Sequence, residues 1–385
     1  MNPTKNQASQ LLNNLTPSQF LAEYWQKKPL LIKNAIPNFT GLLSPEDLAG
    51  LACEEDVQAR IVQKKSDKWL VKNGPFNDAD FAKLPNKDWT LLVQSVNHYL
   101  PEATELLNQF DFIPKARLDD LMVSYAPNGG GVGAHVDSYD VFLLQGSGKR
   151  RWKISSQTDL SLIEDAPLKI LKNFVSEQEW ILEAGDMLYL PPQIAHWGVA
   201  VGDHCMTYSI GFRAPKQDEL IHEFLSYLQD DLTLKNTQNI LYSDPDLQLQ
   251  NHPAEISDAM IQQVKSMLEK IHWDNNHVAD FLGKYLTEPK LDVYFEPAKK
   301  LSMPKFIAQL QQKSIVLDLK SQMLFTHNGF YLNGEKLTIP DNLMSFIQDL
   351  ANQRCLDISN QTTDVQNQLA DVLYDSYLAG FIRFE

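Results

Sequence analysis

Gly129-Gly130-Gly131-Val132-Gly133-Ala134-His135-Val136-Asp137-Ser138-Tyr139-Asp140 is the stretch that decides how this chain is read. Its glycines mark a tight turn, and an apolar run follows over 139–144. On a strand, residues i and i+2 point to one face, so His135 and Asp137 can meet a single ion. A third donor, His196, comes after Gly185-Asp186-Met187-Leu188-Tyr189-Leu190-Pro191-Pro192, which reads as a turn, a strand and a proline-fixed loop. Two imidazoles and one carboxylate on one face of a metal, with the other positions open, make the facial triad of non-haem Fe(II) oxygenases. His-x-Asp by itself also describes a loop histidine beside a capping aspartate, so the constellation carries the reading, not the pair. His98, His204 and His222 have no comparable surroundings, and His204 is the nearest rival to His196.

The texture around these residues is that of a β domain. Apolar runs at 121–125, 141–144, 152–154, 186–190 and 206–212 alternate with Gly and Pro turns. Short strands at that spacing predict a sandwich or barrel. Within Gly148-Lys149-Arg150-Arg151-Trp152-Lys153-Ile154, alternation puts Arg150, Trp152 and Ile154 inside and Lys149, Arg151 and Lys153 outside. A guanidinium stays charged when buried and grips a carboxylate with two hydrogen bonds. Asp120, Met122 and Ser124 share one strand face; His135, Asp137 and Tyr139 share another.

Helical signals flank this region. Thr16-Pro17-Ser18 opens a helix with Phe20, Leu21, Tyr24 and Trp25 at helical spacing, and Pro29 ends it before the apolar strand Leu30-Leu31-Ile32. Ser44-Pro45 opens another. Beyond Pro215, amphipathic patterns cover 219–228, 254–271 and 277–285. Pro289, Pro297 and Pro304 then lead to a last module with helices at 305–312, 343–353 and 365–378 and a hairpin at 325–337 turning at Asn333-Gly334. Helix plus hairpin in that order loosely resembles a winged helix.

Composition narrows the function classes. The 385 residues carry 34 Lys+Arg against 49 Asp+Glu, a net charge of −15. That argues against a broad basic surface, so nucleic acid is not expected as the main ligand; a basic protein partner is compatible. Cys53, Cys205 and Cys355 are dispersed, which argues against disulfides and zinc knuckles and for a reducing compartment. The polar first residues lack an apolar leader core and no run is long enough for a membrane span, so the expectation is a cytoplasmic protein without a membrane role.

Taken together, the motifs resemble the JmjC/cupin class of 2-oxoglutarate-dependent oxygenases, and within it the bacterial ribosomal oxygenases that hydroxylate an arginine of a large-subunit ribosomal protein. Phe20-Leu21-Ala22-Glu23-Tyr24-Trp25-Gln26-Lys27-Lys28-Pro29, Leu118-Asp119-Asp120-Leu121-Met122, the glycine-rich His-x-Asp segment and Tyr208-Ser209-Ile210-Gly211-Phe212-Arg213-Ala214-Pro215 carry the resemblance, which extends into 242–247 and His252-Pro253-Ala254. It implies a mixed α+β architecture: a helical and stranded extension (1–92), a JmjC double-stranded β-helix (93–215), a helical dimerisation region (216–300) and a winged-helix-like module (301–385). It implies Fe(II) on His135, Asp137 and His196, with 2-oxoglutarate and O₂ as co-substrates. Arg150 would hold the distal carboxylate, Ser124 and Thr207 would lie by the co-substrate, and Asp120, Met122 and Tyr139 would surround the target arginine. The expected reaction turns a C–H of that side chain, at Cβ, into C–OH while 2-oxoglutarate becomes succinate and CO₂, with no protein base required. A homodimer is expected. Histidine hydroxylation or demethylation by the same class, a cupin enzyme using another metal, and a non-catalytic binding protein remain as alternatives.

Overall fold

The computed structural model describes residues 11–66, 68–235 and 241–385, with only the backbone for 231–235. The first helix, Pro17–Glu23, starts as its sequence dictates. Thr16 Oγ1 accepts from the Gln19 amide, Gln19 Oε1 accepts from the Thr16 amide, and Pro17 stands where no amide hydrogen is needed. Ser44 and Asp47 repeat the device at Pro45–Leu51.

Ten strands form one antiparallel sheet: β1 (Leu30–Ile32), β2 (Ala59–Lys65), β3 (Lys68–Asn73), β4 (Trp89–Val93), β5 (Leu118–Ala126), β6 (His135–Val136), β7 (Asp140–Ser155), β8 (Gln178–Leu182), β9 (Met187–Leu190) and β10 (Ala195–Phe212). Their order is β1-β9-β7-β10-β5-β4-β2-β3, with β6 on β10 and β8 on β7. Two features differ from the sequence reading. The apolar runs 141–144 and 152–154 belong to one continuous strand, β7, and the run 206–212 extends back to Ala195, which puts His196 on β10 instead of in a loop. The segments at 59–73 and 89–93, read as part of an N-terminal extension, continue the same sheet, and the 92/93 boundary falls inside β4.

An irregularity in the β7–β10 pairing between Val201 and Thr207 sets the face of everything beyond it. Gly148, at φ +62°, passes so close to Cys205 that a Cβ would lie 2.8 Å from its Cα. Alternation therefore restarts across this kink: Val141 and Leu143 before it, Arg150 and Trp152 after it, all face one cavity. Lys149, Arg151 and Lys153 face outward and pair with Glu183 and Glu179.

The opposite face of the sheet is closed by aromatics. Phe20 packs on Phe142 and Tyr189 with ring centroids 5.5 and 5.0 Å apart, and Trp25 stacks on Tyr189 at 5.9 Å. Beneath them Asp140 is fully buried.

Clustering of the backbone gives two compact units: residues 1–214 with 290–296 and 318–320, and the remainder. The second unit contains helices Gln217–Lys235, Asp258–Leu268 and Asn275–Thr287. Its C-terminal part has helices Met303–Leu310, Met344–Gln353 and Thr363–Leu378 around a core of Phe306, Leu350, Leu369 and Leu373. There β11 (Ile315–Leu317) lies in a sheet with the later strands Cys355–Leu356 and Ile382–Phe384, while β12 (Met323–Thr326), β13 (Gly329–Leu332) and β14 (Glu335–Leu337) form a three-stranded wing. Asn333-Gly334 turns β13 into β14 through two positive φ angles, as expected for this dipeptide. No helix among the described residues is long and apolar enough to cross a membrane.

Candidate active site

His135 and His196 are direct partners across β6 and β10, with ring centroids 4.2 Å apart. Asp137 follows β6 immediately. Donor atoms of the three residues lie within 4.8 Å of one another, and Asp137 Oδ2 is 3.8 Å from His135 Nε2 and 3.5 Å from His196 Nε2. The glycine run makes this approach possible. A Cβ on Gly131 would sit 2.3 Å from the Gly198 carbonyl oxygen, and one on Gly130 would sit 1.9 Å from that of Trp89.

Backbone carbonyls fix the state of both rings. His135 Nδ1 lies 3.0 Å from the Gly133 oxygen and His196 Nδ1 lies 2.9 Å from the Ile194 oxygen. A carbonyl only accepts, so each Nδ1 carries a hydrogen, which leaves each Nε2 on the Asp137 side as the nitrogen available to a metal. Burial, and then the neighbouring His196, push the His135 imidazolium down to about 4, so the ring is neutral at pH 7. Burial alone would raise the Asp137 carboxyl, but His196, His135 and the Tyr139 hydroxyl outweigh it and hold it below the ordinary value. Two imidazoles and a carboxylate thus bring their donor atoms to one point, a donor set that fits a divalent cation such as Fe(II).

A cavity of about 240 Å³ opens beside the triad, lined among others by Met122, Ser124, Tyr139, Arg150, Trp152 and Thr207. Arg150 is 5% exposed, and its Nε and Nη2 have no hydrogen-bond partner. Trp152 Nε1 is buried and unpartnered as well. An uncompensated buried guanidinium costs several kcal/mol, about the strongest internal argument for an anionic ligand that a cavity can offer. Its fork suits the far carboxylate of a dicarboxylic acid such as 2-oxoglutarate. Ser124 and Thr207 are register partners on β5 and β10, both buried. Gln145 donates to the carbonyls of Ser147 and Met206, so its oxygen accepts from Thr207 at 3.1 Å, and Thr207 turns lone pairs to the cavity.

The residues expected to meet a substrate separate in space. Met122 and Tyr139 line the cavity, Tyr139 being 40% exposed at its mouth. Asp120 does not line it: its carboxylate accepts from Ser95 N at 2.9 Å and Ser95 Oγ at 3.3 Å, and burial followed by the charge of Asp119 raises its pKa. His204 is exposed and outside the cluster. Arg60, Gln94 and Lys169 line the cavity without having been singled out from sequence. A lone arginine in the apolar strand Ala59-Arg60-Ile61-Val62 was the available signal for the first; nothing periodic marks Lys169.

Comparison with known proteins gives consistent matches. The JmjC domain family model matches residues 105–220, and a ROXA-like winged helix model matches 270–381. The ribosomal protein uL16 3-hydroxylase of Escherichia coli is 35% identical over 330 residues, 83% of this chain and 85% of that protein. A probable ribosomal oxygenase of Haemophilus influenzae is 40% identical over 275 residues, 67% of this chain and 64% of that one. Solved structures of E. coli YcfD, described as a ribosomal oxygenase, superpose with a TM-score of 0.81 at 32% identity over 96% of this chain and 98% of theirs; one such structure, at 31% identity, contains cobalt and 2-oxoglutarate.

Proposed function

We propose a reaction on this premise: the chain belongs to the JmjC family of ribosomal oxygenases. It is a metal- and 2-oxoglutarate-dependent dioxygenase that hydroxylates a ribosomal protein. The finer assignment is Fe(II) as the metal and Cβ of an arginine in a large-subunit protein as the target. The observation that carries it is one cavity holding both the His135, Asp137 and His196 donor set and the unpaired N–H groups of Arg150.

Fe(II), when bound by the triad, supplies O₂ activation coupled to decarboxylation of 2-oxoglutarate. The chain's own groups do the rest. The Gly133 and Ile194 carbonyls hold the imidazoles in their ligating tautomer. Arg150 fixes the distal carboxylate, with Ser124 and Thr207 beside it. Leu92, Val132, Val141 and Leu143 line the cavity and exclude water. Met122 and Tyr139 offer a soft and a flat surface to an arginine stem. Carbon 3 of an amino acid is its Cβ, so the name of the E. coli relative supports that position. A homodimer is part of the proposal: helix Asp258–Leu268 buries no residue and exposes Met260, Ile261, Val264, Met267 and Leu268, a stripe that a second copy would cover.

The test is succinate formation and gain of one oxygen atom on ribosomal protein uL16, with Fe(II) and 2-oxoglutarate supplied. Oxygen mapped to an arginine Cβ is the expected result. His135→Ala as active as wild type would overturn the reading, and oxygen on a histidine would overturn the arginine assignment.

A further inference from the structure

Trp152 carries a polar atom that the fold does not use. The residue is 5% exposed, and its Nε1 is buried without a hydrogen-bond partner. An indole N–H normally finds an acceptor when buried. Trp152 lines the cavity of the triad, two residues along β7 from Arg150 and on the same face. The Arg150 guanidinium carbon stands 5.8 Å from the indole centroid, and the His196 ring stands 5.9 Å from it. The indole is therefore close to both the unpaired guanidinium and a member of the donor set. Its seat is specific as well. Gly198 is the register partner of Trp152 on β10, and a Cβ there would lie 2.6 Å from the six-membered ring of the indole. Only glycine leaves the ring where it is. A donor whose direction is fixed beforehand loses little freedom when it binds.

We propose that Trp152 Nε1–H donates to the distal carboxylate of 2-oxoglutarate beside Arg150, with Gly198 as the positioning residue that seats the indole. This rests on the reading of Arg150 as the carboxylate anchor. A carboxylate has two oxygens and about four lone-pair sites. The unpartnered Nε and Nη2 of Arg150 take up two of them, and the indole takes a third. Neither a guanidinium nor an indole carries an acceptor. This pair of side chains thus selects an ionised carboxylate over a carboxamide of the same shape, which would bring donors of its own.

Trp152→Phe keeps an aromatic ring and removes the N–H. Calorimetric titration of 2-oxoglutarate onto the anaerobic Mn(II)-loaded protein should give a Kd about tenfold weaker, as for one lost hydrogen bond to a charged group, with metal affinity unchanged. Wild type should bind the carboxamide analogue of 2-oxoglutarate far more weakly than the acid, and Trp152→Phe should narrow that gap. Nuclear magnetic resonance separates donation from packing. With isotope-labelled tryptophan and Zn(II) as a diamagnetic metal, one indole proton, absent from Trp152→Phe, should move downfield when 2-oxoglutarate is added. Gly198→Ala should weaken 2-oxoglutarate in the wild-type background and add little to Trp152→Phe, whose smaller ring frees the space. Unchanged affinity of Trp152→Phe overturns the proposal. So does a wild-type spectrum in which no indole proton moves, since a loss of affinity would then report packing alone. If Arg150→Met binds 2-oxoglutarate as wild type does, the anchor reading itself fails. If Arg150→Met weakens binding and Trp152→Phe does not, the anchor stands and the role of Trp152 falls.

Discussion

Asp137 and Asp140 lie on one short segment, each within reach of basic groups, yet they do opposite work. Asp140 is fully buried and saturated: Tyr189 donates at 2.6 Å, Gln26 Nε2 at 2.9 Å, and Arg117 Nη2 lies 3.4 Å away. Asp137 faces two Nε2 atoms, and Arg150 across its cavity keeps two nitrogens, Nε and Nη2, without partners. Buried polar groups normally find partners, so satisfaction marks the part of the molecule that holds the fold, and want of a partner marks the part that awaits a ligand. The comparison predicts that substitutions near Asp137 remove activity and spare stability, while those near Asp140 do the reverse.

The largest effect is expected from His135→Ala. Succinate formation should fall to background and metal affinity should collapse, because one of the three proposed ligands is gone. The thermal midpoint should move by no more than a few degrees, since the side chain makes one hydrogen bond, to the Gly133 carbonyl. Cooperative unfolding of this variant at room temperature would break the comparison.

Asp140→Asn is the complementary case. Its amide would turn a donor toward groups that already donate, and Arg117 would lose its counter-charge. Breaking a buried pair of this kind costs about 3–5 kcal/mol. Urea unfolding should register that loss, while the remaining folded fraction keeps its affinity for 2-oxoglutarate.

Arg150→Met sharpens the contrast on the ligand side. The KM for 2-oxoglutarate should rise about a hundredfold, the equivalent of losing hydrogen bonds to a charged group. Stability should be unchanged or higher, because an unpaired buried cation has been replaced by an apolar chain of similar length. A large loss of stability would mean that Arg150 has a structural partner after all.

The same distinction explains what the sequence made legible. Strand alternation is local, and it sufficed to bring His135 and Asp137 to one point and to turn Arg150 and Trp152 inward. What escaped depends on contacts between distant segments. That β7 is unbroken from Asp140 to Ser155 follows from pairing with β10 across the Gly146-Ser147-Gly148 kink, where glycine reads as a turn but serves close packing against Tyr208 and Cys205. That β2 to β4 complete the sheet is decided by the Leu92–Ser124 register, which no local pattern encodes. Asp120 shares a strand face with Met122 by periodicity, yet Ser95, held at φ +51°, captures its carboxylate.

Asp280, in the second unit, gives the smallest effect and a pH signature for a satisfied carboxylate. It accepts from the Tyr227 and Tyr331 hydroxyls, both at 3.1 Å, and pairs with Lys336 at 2.7 Å and Lys284 at 3.3 Å. Burial alone would raise its carboxyl, but Lys336 and Lys284 outweigh it and hold the group at about 2, against an ordinary 3.8. The folded state therefore binds its proton less readily than the unfolded chain. Its contribution to stability is fully present above the unfolded value and disappears as pH falls from about 4 to about 2. Partial exposure limits that contribution to roughly 1 kcal/mol or less. Asp280→Asn should lower the urea midpoint slightly at pH 7, and the gap to wild type should close through that acid window. A gap that stays constant from pH 7 to pH 2 would show that the carboxylate is not ionically held, and the link between saturation and stability would not extend beyond Asp140.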